Sequence, residues 1–309
     1  MKIVFMGTPD LAVSVLDAIV RSRHEVVAVV TREDKPKGRG KEVAMPPVKI
    51  YAMEHGIPVF QPERIKDADA VEKLRAYGAD LFVVAAYGQI LSGEILRIPP
   101  RGCINVHTSL LPKYRGSAPI QWAIIEGETQ TGVTIMQMDE GMDTGDILMT
   151  STVPISPEET GGSLHDKLAE AGAALIVDAL DAIEAGKVNP IPQDEELATY
   201  AKMLNKKMGY IRFDKSAEEI ARLIRGLDPW PGTYTTWNGK NLKILQAKAF
   251  VEKSDEEPGT VLRTDGTAIF VACAKGVLKI TEVQLEGRKR MQVKDFLLGY
   301  QIHAGDRFA

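Results

Sequence analysis

A chain of 309 residues with 44% hydrophobic side chains and a formal net charge of −4 is long enough to bury a core and favours about two domains. The net acidity excludes a uniformly basic nucleic-acid coat, and the lack of any apolar run near ~20 residues excludes a membrane-spanning helix. Two cysteines, Cys103 and Cys273, are too few for a disulfide framework or a metal cage.

From the N-terminus, Met1-Lys2-Ile3-Val4-Phe5 leads into a strand rather than a signal peptide, which makes a cytoplasmic location the default expectation. Short apolar runs at 2–6, 25–30, 80–85 and 102–106 alternate with amphipathic segments, the rhythm of an α/β fold with a mostly parallel, Rossmann-like sheet. The first turn, Met6-Gly7-Thr8-Pro9-Asp10, lacks the G-x-G-x-x-G of a dinucleotide site. Segment 31–48 exceeds the usual 2–6 residues of a βα loop and interleaves Lys35, Lys37, Arg39 and Lys41 with glycine and proline. It reads as a basic finger that orders against an RNA end, with Arg39 and Lys41 on the phosphates or bases; the alternative is a disordered surface insertion.

Strands at 132–138 and 146–153 flank a glycine-rich turn at Asp143, and a helix over 162–185 closes a domain expected to span 1–189. A polar, proline-bearing stretch over 190–205 reads as a linker. Beyond it, a helix at 216–225 and strands at 232–237, 241–250, 259–262, 268–272 and 277–285 predict a C-terminal OB-like β-barrel domain over 206–309. That region holds 18 Lys and Arg against 13 Asp and Glu, although the chain as a whole is acidic. Lys206 and Lys207 at its entry, with Arg288-Lys289-Arg290 near its end, extend a possible track for a polyanion. His24, His55, His165 and His303 lie on no metal-ligand spacing and read as solvated or helix-face residues; Trp122, Trp230 and Trp237 read as packing anchors.

The chemistry concentrates between Cys103 and Leu148. In a strand, Asn105 and His107 project on one face with Val106 turned to the other, which sets an amide donor beside an imidazole. Asp143 can join them only through tertiary folding. Such a trio can hold a developing oxyanion and manage a proton; the plainer alternative is a strand end capped by polar residues.

The run Cys103-Ile104-Asn105-Val106-His107-Thr108-Ser109-Leu110-Leu111-Pro112-Lys113-Tyr114-Arg115-Gly116, then Pro119-Ile120-Gln121-Trp122 and Thr131-Gly132-Val133-Thr134-Ile135-Met136-Gln137-Met138, resembles the formyltransferases that use 10-formyltetrahydrofolate. Gly7-Thr8-Pro9, Lys37-Gly38-Arg39-Gly40-Lys41 and Pro229-Trp230-Pro231-Gly232 follow in family order, so that the resemblance spans essentially the whole chain. It is greatest for the branch that formylates methionyl initiator tRNA. The resemblance implies Asn105, His107 and Asp143 as the catalytic set and Ser109, Leu110, Leu111 and Pro112 as the folate-contacting segment, with the backbone of Tyr87-Gly88-Gln89-Ile90 lining the pterin. It also implies 10-formyltetrahydrofolate as donor, no metal, and a monomer. Arg39, Lys41, Lys206 and Lys207 would contact the tRNA. The alternative acceptor is a nucleotide-linked amino sugar.

Overall fold

The computed structural model describes residues 1–37 and 42–309. In chain order its elements are β1 (Lys2–Gly7), α1 (Asp10–Val20), β2 (Glu25–Val30), β3 (Lys35–Lys37), β4 (Glu42–Ala44), α2 (Pro47–Glu54), β5 (Val59–Phe60), α3 (Ala68–Ala76), β6 (Leu81–Ala85), α4 (Gly93–Leu96), β7 (Cys103–His107), β8 (Arg115–Gly116), α5 (Pro119–Glu126), β9 (Gln130–Gln137), β10 (Ile147–Pro154) and α6 (Gly161–Glu184). Then follow β11 (Tyr200–Ala201), α7 (Ala217–Gly226), β12 (Thr233–Trp237), β13 (Lys240–Phe250), β14 (Val261–Thr264), β15 (Ile269–Ala272), β16 (Val277–Leu285), β17 (Met291–Gln292) and α8 (Val293–Gly299). Two compact units form. The first takes Met1–Pro119, Gln130–Pro154 and His165–Ala201; the second takes Ile120–Thr129, Ile155–Leu164 and Lys202–Ala309.

The first unit is built on a seven-stranded sheet in the order β10-β9-β7-β6-β1-β2-β5. From β7 to β5 the strands are parallel, and β9 runs antiparallel to both its neighbours. Strands buried on both faces need unbroken apolar sequence, and β6 (Leu-Phe-Val-Val-Ala) is buried at every position. α1 buries Leu11, Ala12, Val15, Leu16 and Ile19, the stripe of an amphipathic helix, and opens with Asp10 in its positively polarised first turn. The connection leaving β1 runs to β2 on one side and the connection leaving β6 runs to β7 on the other, so the strand order reverses between β1 and β6 and opens a crevice at the carboxyl ends of the strands, where α/β sheets bind ligands.

Within the expected 31–48 loop, β3 and β4 pair antiparallel in the register Lys35↔Ala44, Pro36↔Val43, Lys37↔Glu42. α2 then begins at Pro47, a first-turn position where proline's fixed φ and missing N–H cost nothing. Arg39 and Lys41 lie outside the described residues. Residues 190–201 of the expected 190–205 linker belong to the first unit, where β11 pairs with β8 and Ile191 exchanges backbone hydrogen bonds with Ile147, and 202–205 belong to the second.

The second unit carries an antiparallel sheet in the order β12-β13-β16-β15-β14, with β17 paired to β16. α7 covers its core with Ala217, Ile220, Ala221 and Ile224. Ser216 starts that helix through a capping box, its hydroxyl accepting from the Glu219 N–H while the Glu219 carboxylate accepts from the Ser216 N–H.

Two expectations need correction. His24 is buried, not solvated, because Asp181 accepts from or pairs with its Nε2 at 3.2 Å inside the first unit. Trp230 is 55% exposed and anchors no core, whereas Trp237 is buried beside Phe296 and Tyr300. Among the described residues no helix is long and apolar enough to cross a membrane.

Both cysteines are buried, and burial pushes each thiol up to about 12. The thiolate is the reactive form, so at pH 8 a maleimide should label neither Cys103 nor Cys273 in the folded protein and both in denaturant. Mass spectrometry of the labelled chain provides the check.

Candidate functional site

β7 ends in the crevice. Its pairing with β6 on one side and β9 on the other places Asn105 opposite Val84 and Met136, and His107 opposite Thr134. The pleat turns Val106 the other way, toward α6, where a Cβ on Gly172 would lie 3.3 Å from Val106 Cγ1. Asn105 is half-buried and His107 is 6% exposed. The two polar residues therefore share the face that opens to the crevice.

Asp143 comes back to them on the turn between β9 and β10. Asn105 Nδ2 donates to Asp143 Oδ1 at 3.5 Å, and His107 Nδ1 stands 3.7 Å from Asp143 Oδ2. The Gly116 N–H donates to that same Oδ2 at 2.8 Å. On the far edge of the imidazole, Nε2 donates to the Tyr114 carbonyl at 3.0 Å, which fixes a proton on that nitrogen and leaves Nδ1 facing the carboxylate. A separation of 3.7 Å is too long for a direct bond and suits a pair that tightens around a substrate.

The turn itself is specified by small residues. Asp143 has φ +55, a left-handed conformation that aspartate tolerates better than bulkier residues. A Cβ on Gly145 would fall 1.7 Å from the Gln137 carbonyl oxygen, so only glycine lets the chain pass there. Asp139 braces the near side by accepting from the Gly141 N–H and the Thr144 hydroxyl. On the other side, Gln193 Nε2 donates to the carbonyls of Asp143 and Gly145 at 2.8 and 2.7 Å. Gln193 Oε1 in turn accepts from Arg115, whose guanidinium is fully buried and forms a two-point pair with Glu195. Arg115 holds the Glu195 carboxyl below its ordinary value, so this pair persists through the usual carboxylate range and is lost only as pH falls through the lowered value.

Ser109, Leu110, Leu111 and Pro112 form the next stretch. Ser109 has no exposed surface and donates its hydroxyl proton to the Lys113 carbonyl, while its own carbonyl accepts from Thr134 Oγ1, which also accepts from the Leu111 N–H. Ser109 and Leu111 thus set the shape of the segment and leave Leu110 and Pro112 half-buried at its surface. A Cβ on Gly132 would meet Leu110 Cδ2 at 2.6 Å, so the β9 glycine makes room for that side chain. Nearby, Ala86 and Gly88 both have positive φ, Thr8 Oγ1 donates to the Tyr87 carbonyl, and Ile90 is 86% exposed. Burial pushes the Tyr87 hydroxyl up to about 12 against the opposing pull of Arg32. A pocket of about 630 Å³ opens beside Thr8 and Arg32, with Met45, Pro46, Pro47 and Ile50 on its apolar wall.

Of the other expected contacts, Arg39 and Lys41 lie outside the described residues. Lys206 and Lys207 lie in a short 3₁₀ turn of the second unit, exposed, behind an Asn205 side chain that accepts from the Lys207 N–H. Sequence reading missed Gln193, Glu195 and the role of Arg115. Gln193 stands in a polar run that resembles any linker, and Arg115, set between Lys113-Tyr114 and Gly116-Ser117, carries no local sign that it is buried.

Family models described as "Formyl transferase" and "Formyl transferase, C-terminal domain" match residues 1–180 and 203–301. The chain is 52% identical over 310 residues to a methionyl-tRNA formyltransferase of Lachnospira eligens, covering 99% of this chain and 98% of the relative. It is 51% identical over 308 residues to that of Agathobacter rectalis, covering 100% and 99%. A crystal structure of an N-formyltransferase from Helicobacter canadensis, in complex with folinic acid and dTDP-3-aminofucose, shares the fold with a TM-score of 0.67 at 19% identity, over 94% of this chain and 100% of that one.

Replacing Gly145 with alanine should push the turn off Gln137, lower the melting temperature and raise amide exchange at 141–146 relative to the rest of the sheet. Hydrogen-exchange mass spectrometry reads both the site and the extent of the change.

Proposed function

Because this chain belongs to the formyl transferase family, with both family domains and full-length relatives at about half identity, we propose that it transfers the formyl group of 10-formyltetrahydrofolate to the α-amino group of methionyl initiator tRNA. The observation that carries the reading is the convergence of Asn105, His107 and Asp143 at the carboxyl end of β7, inside a chain that matches methionyl-tRNA formyltransferases from end to end. The residues present fit a folate. Leu110 and Pro112 offer an apolar edge, the positive-φ turn at Ala86 and Gly88 offers backbone groups to a flat heterocycle, and Asn105 keeps one amide hydrogen and its oxygen for a ligand. When bound, the folate supplies the activated formyl carbon.

The protein's own groups do the rest. Asn105 Nδ2 donates to the formyl oxygen as it gains negative charge, and His107 adds a second donor from Nδ1 when the ring carries both protons, its other edge held by the Tyr114 carbonyl. An α-amine has an ordinary pKa of ~7.7–8.0 and must shed a proton to attack. Asp143, anchored through Oδ2 by the Gly116 N–H, receives that proton and returns one to the leaving nitrogen. Ser109 and Leu111 hold the folate segment from behind. Arg39, Lys41, Lys206 and Lys207 supply cationic contacts to the RNA, and the reading goes with a cytoplasmic monomer. On this reading the first unit, which ends at Ala201, carries the formyl transfer, and the expected 206–309 domain binds the RNA.

Purified protein given 10-formyltetrahydrofolate and methionine-charged tRNA should produce formylmethionine on the initiator in strong preference to the elongator. Folate binding without transfer to either tRNA would redirect the acceptor to amino-sugar nucleotides. Asn105→Ala should lower kcat by roughly 10²–10³ with unchanged melting, as loss of one oxyanion donor does. Lys206→Ala and Lys207→Ala should each reduce the slope of log affinity against log salt by about one, while elongator and initiator lose affinity alike.

A further inference from the structure

The Asp143 carbonyl and the Gly145 carbonyl stand on either side of the left-handed turn, and one amide group, Gln193 Nε2, donates to both. The amide cannot be reversed. Its Oε1 accepts from Arg115 Nε at 3.0 Å and Nη2 at 2.9 Å, and a guanidinium only donates whereas peptide carbonyls only accept. Glutamine is the one residue type of this length with an acceptor for the first and two donors for the second. Arg115 is itself fixed by Glu195 at 2.8 Å from both Nη1 and Nη2, and the next residue along, Gly116, donates its N–H to the Asp143 carboxylate. One short strand therefore reaches Asp143 twice, at its carboxylate through Gly116 and at its backbone through Arg115 and Gln193.

We infer that Gln193, oriented by Arg115 and Glu195, is a positioning residue that aims the Asp143 carboxylate at Asn105 and His107. The inference rests on the proposed use of Asp143 as the proton acceptor. A displacement of about 1 Å at a reacting group costs on the order of 10² in rate, which is the range expected here.

Gln193→Glu separates this role from a merely structural one. It preserves length and shape and keeps an oxygen for Arg115, yet it places a second acceptor against the two carbonyls. Gln193→Ala removes both contacts without adding charge. In formylation of methionyl initiator tRNA, each variant should lose about 10²-fold in kcat, with the KM for folate and for RNA changed less than about threefold and melting within a few degrees of wild type. A readout that needs no substrate accompanies this. The Gly116 amide proton, shifted downfield by its bond to the Asp143 carboxylate, should move upfield in both variants while amides elsewhere in the first unit stay in place. If the parent protein formylates no tRNA, the functional reading fails, and the Gly116 shift still decides the positioning claim. An unmoved Gly116 resonance, or kcat within twofold of the parent, overturns the inference, as does a loss of rate matched by an equal loss of stability.

Discussion

Arg115 carries a full positive charge on a side chain with no exposed surface, and a buried guanidinium must find an anion and enough acceptors close by. The site end of the first unit is arranged by how that demand is met. Glu195 supplies the charge, Gln193 supplies an oxygen, and both come from a segment nearly eighty positions further along the chain. That segment is fastened again where the Arg115 N–H donates to the Thr199 carbonyl and the Tyr114 N–H to the Thr199 hydroxyl. With Tyr114 so placed, its carbonyl is ready for His107 Nε2. Orientation of the imidazole and orientation of the carboxylate thus trace back to one buried charge.

Charge alone would not make a site. The parallel sheet delivers Asn105 and His107 to the crevice because β7 is hydrogen-bonded on both sides and cannot slip, a one-residue slip being enough to exchange the crevice face for the α6 face. The sheet provides the rigid half and the turns provide the shaped half. Gly116, Gly132 and Gly145 each mark a place where backbone or a neighbouring side chain passes too close for a Cβ.

Much of this was readable in advance. Apolar runs of four to six residues announce buried parallel strands, and the two-residue alternation of Asn105, Val106 and His107 announces which of them share a face. The recurrence of Asp143 beside that face came from the resemblance, since nothing local links positions 38 apart. What stayed hidden was the identity of partners. A segment such as Asn189-Pro190-Ile191-Pro192-Gln193 has the composition of a linker because β-bridges and single hydrogen bonds leave almost no periodic signal in so short a stretch. The β3–β4 pair escaped for a similar reason, three residues a side being too few to show alternation. His24 shows the opposite error: a lone histidine in polar sequence was buried by a partner on α6, far along the chain.

The fastening of residues 193–201 to the first unit changes where the chain can be divided. A cut at 189, where composition suggests a boundary, would strip Arg115 of both Glu195 and Gln193 and leave the turn at Asp143 gripped from one side only. A cut after Ala201 would keep β11 on β8 and carry the entire network with the fragment. Autonomy in this protein is therefore bounded by the last partner of a buried charge rather than by the last regular helix.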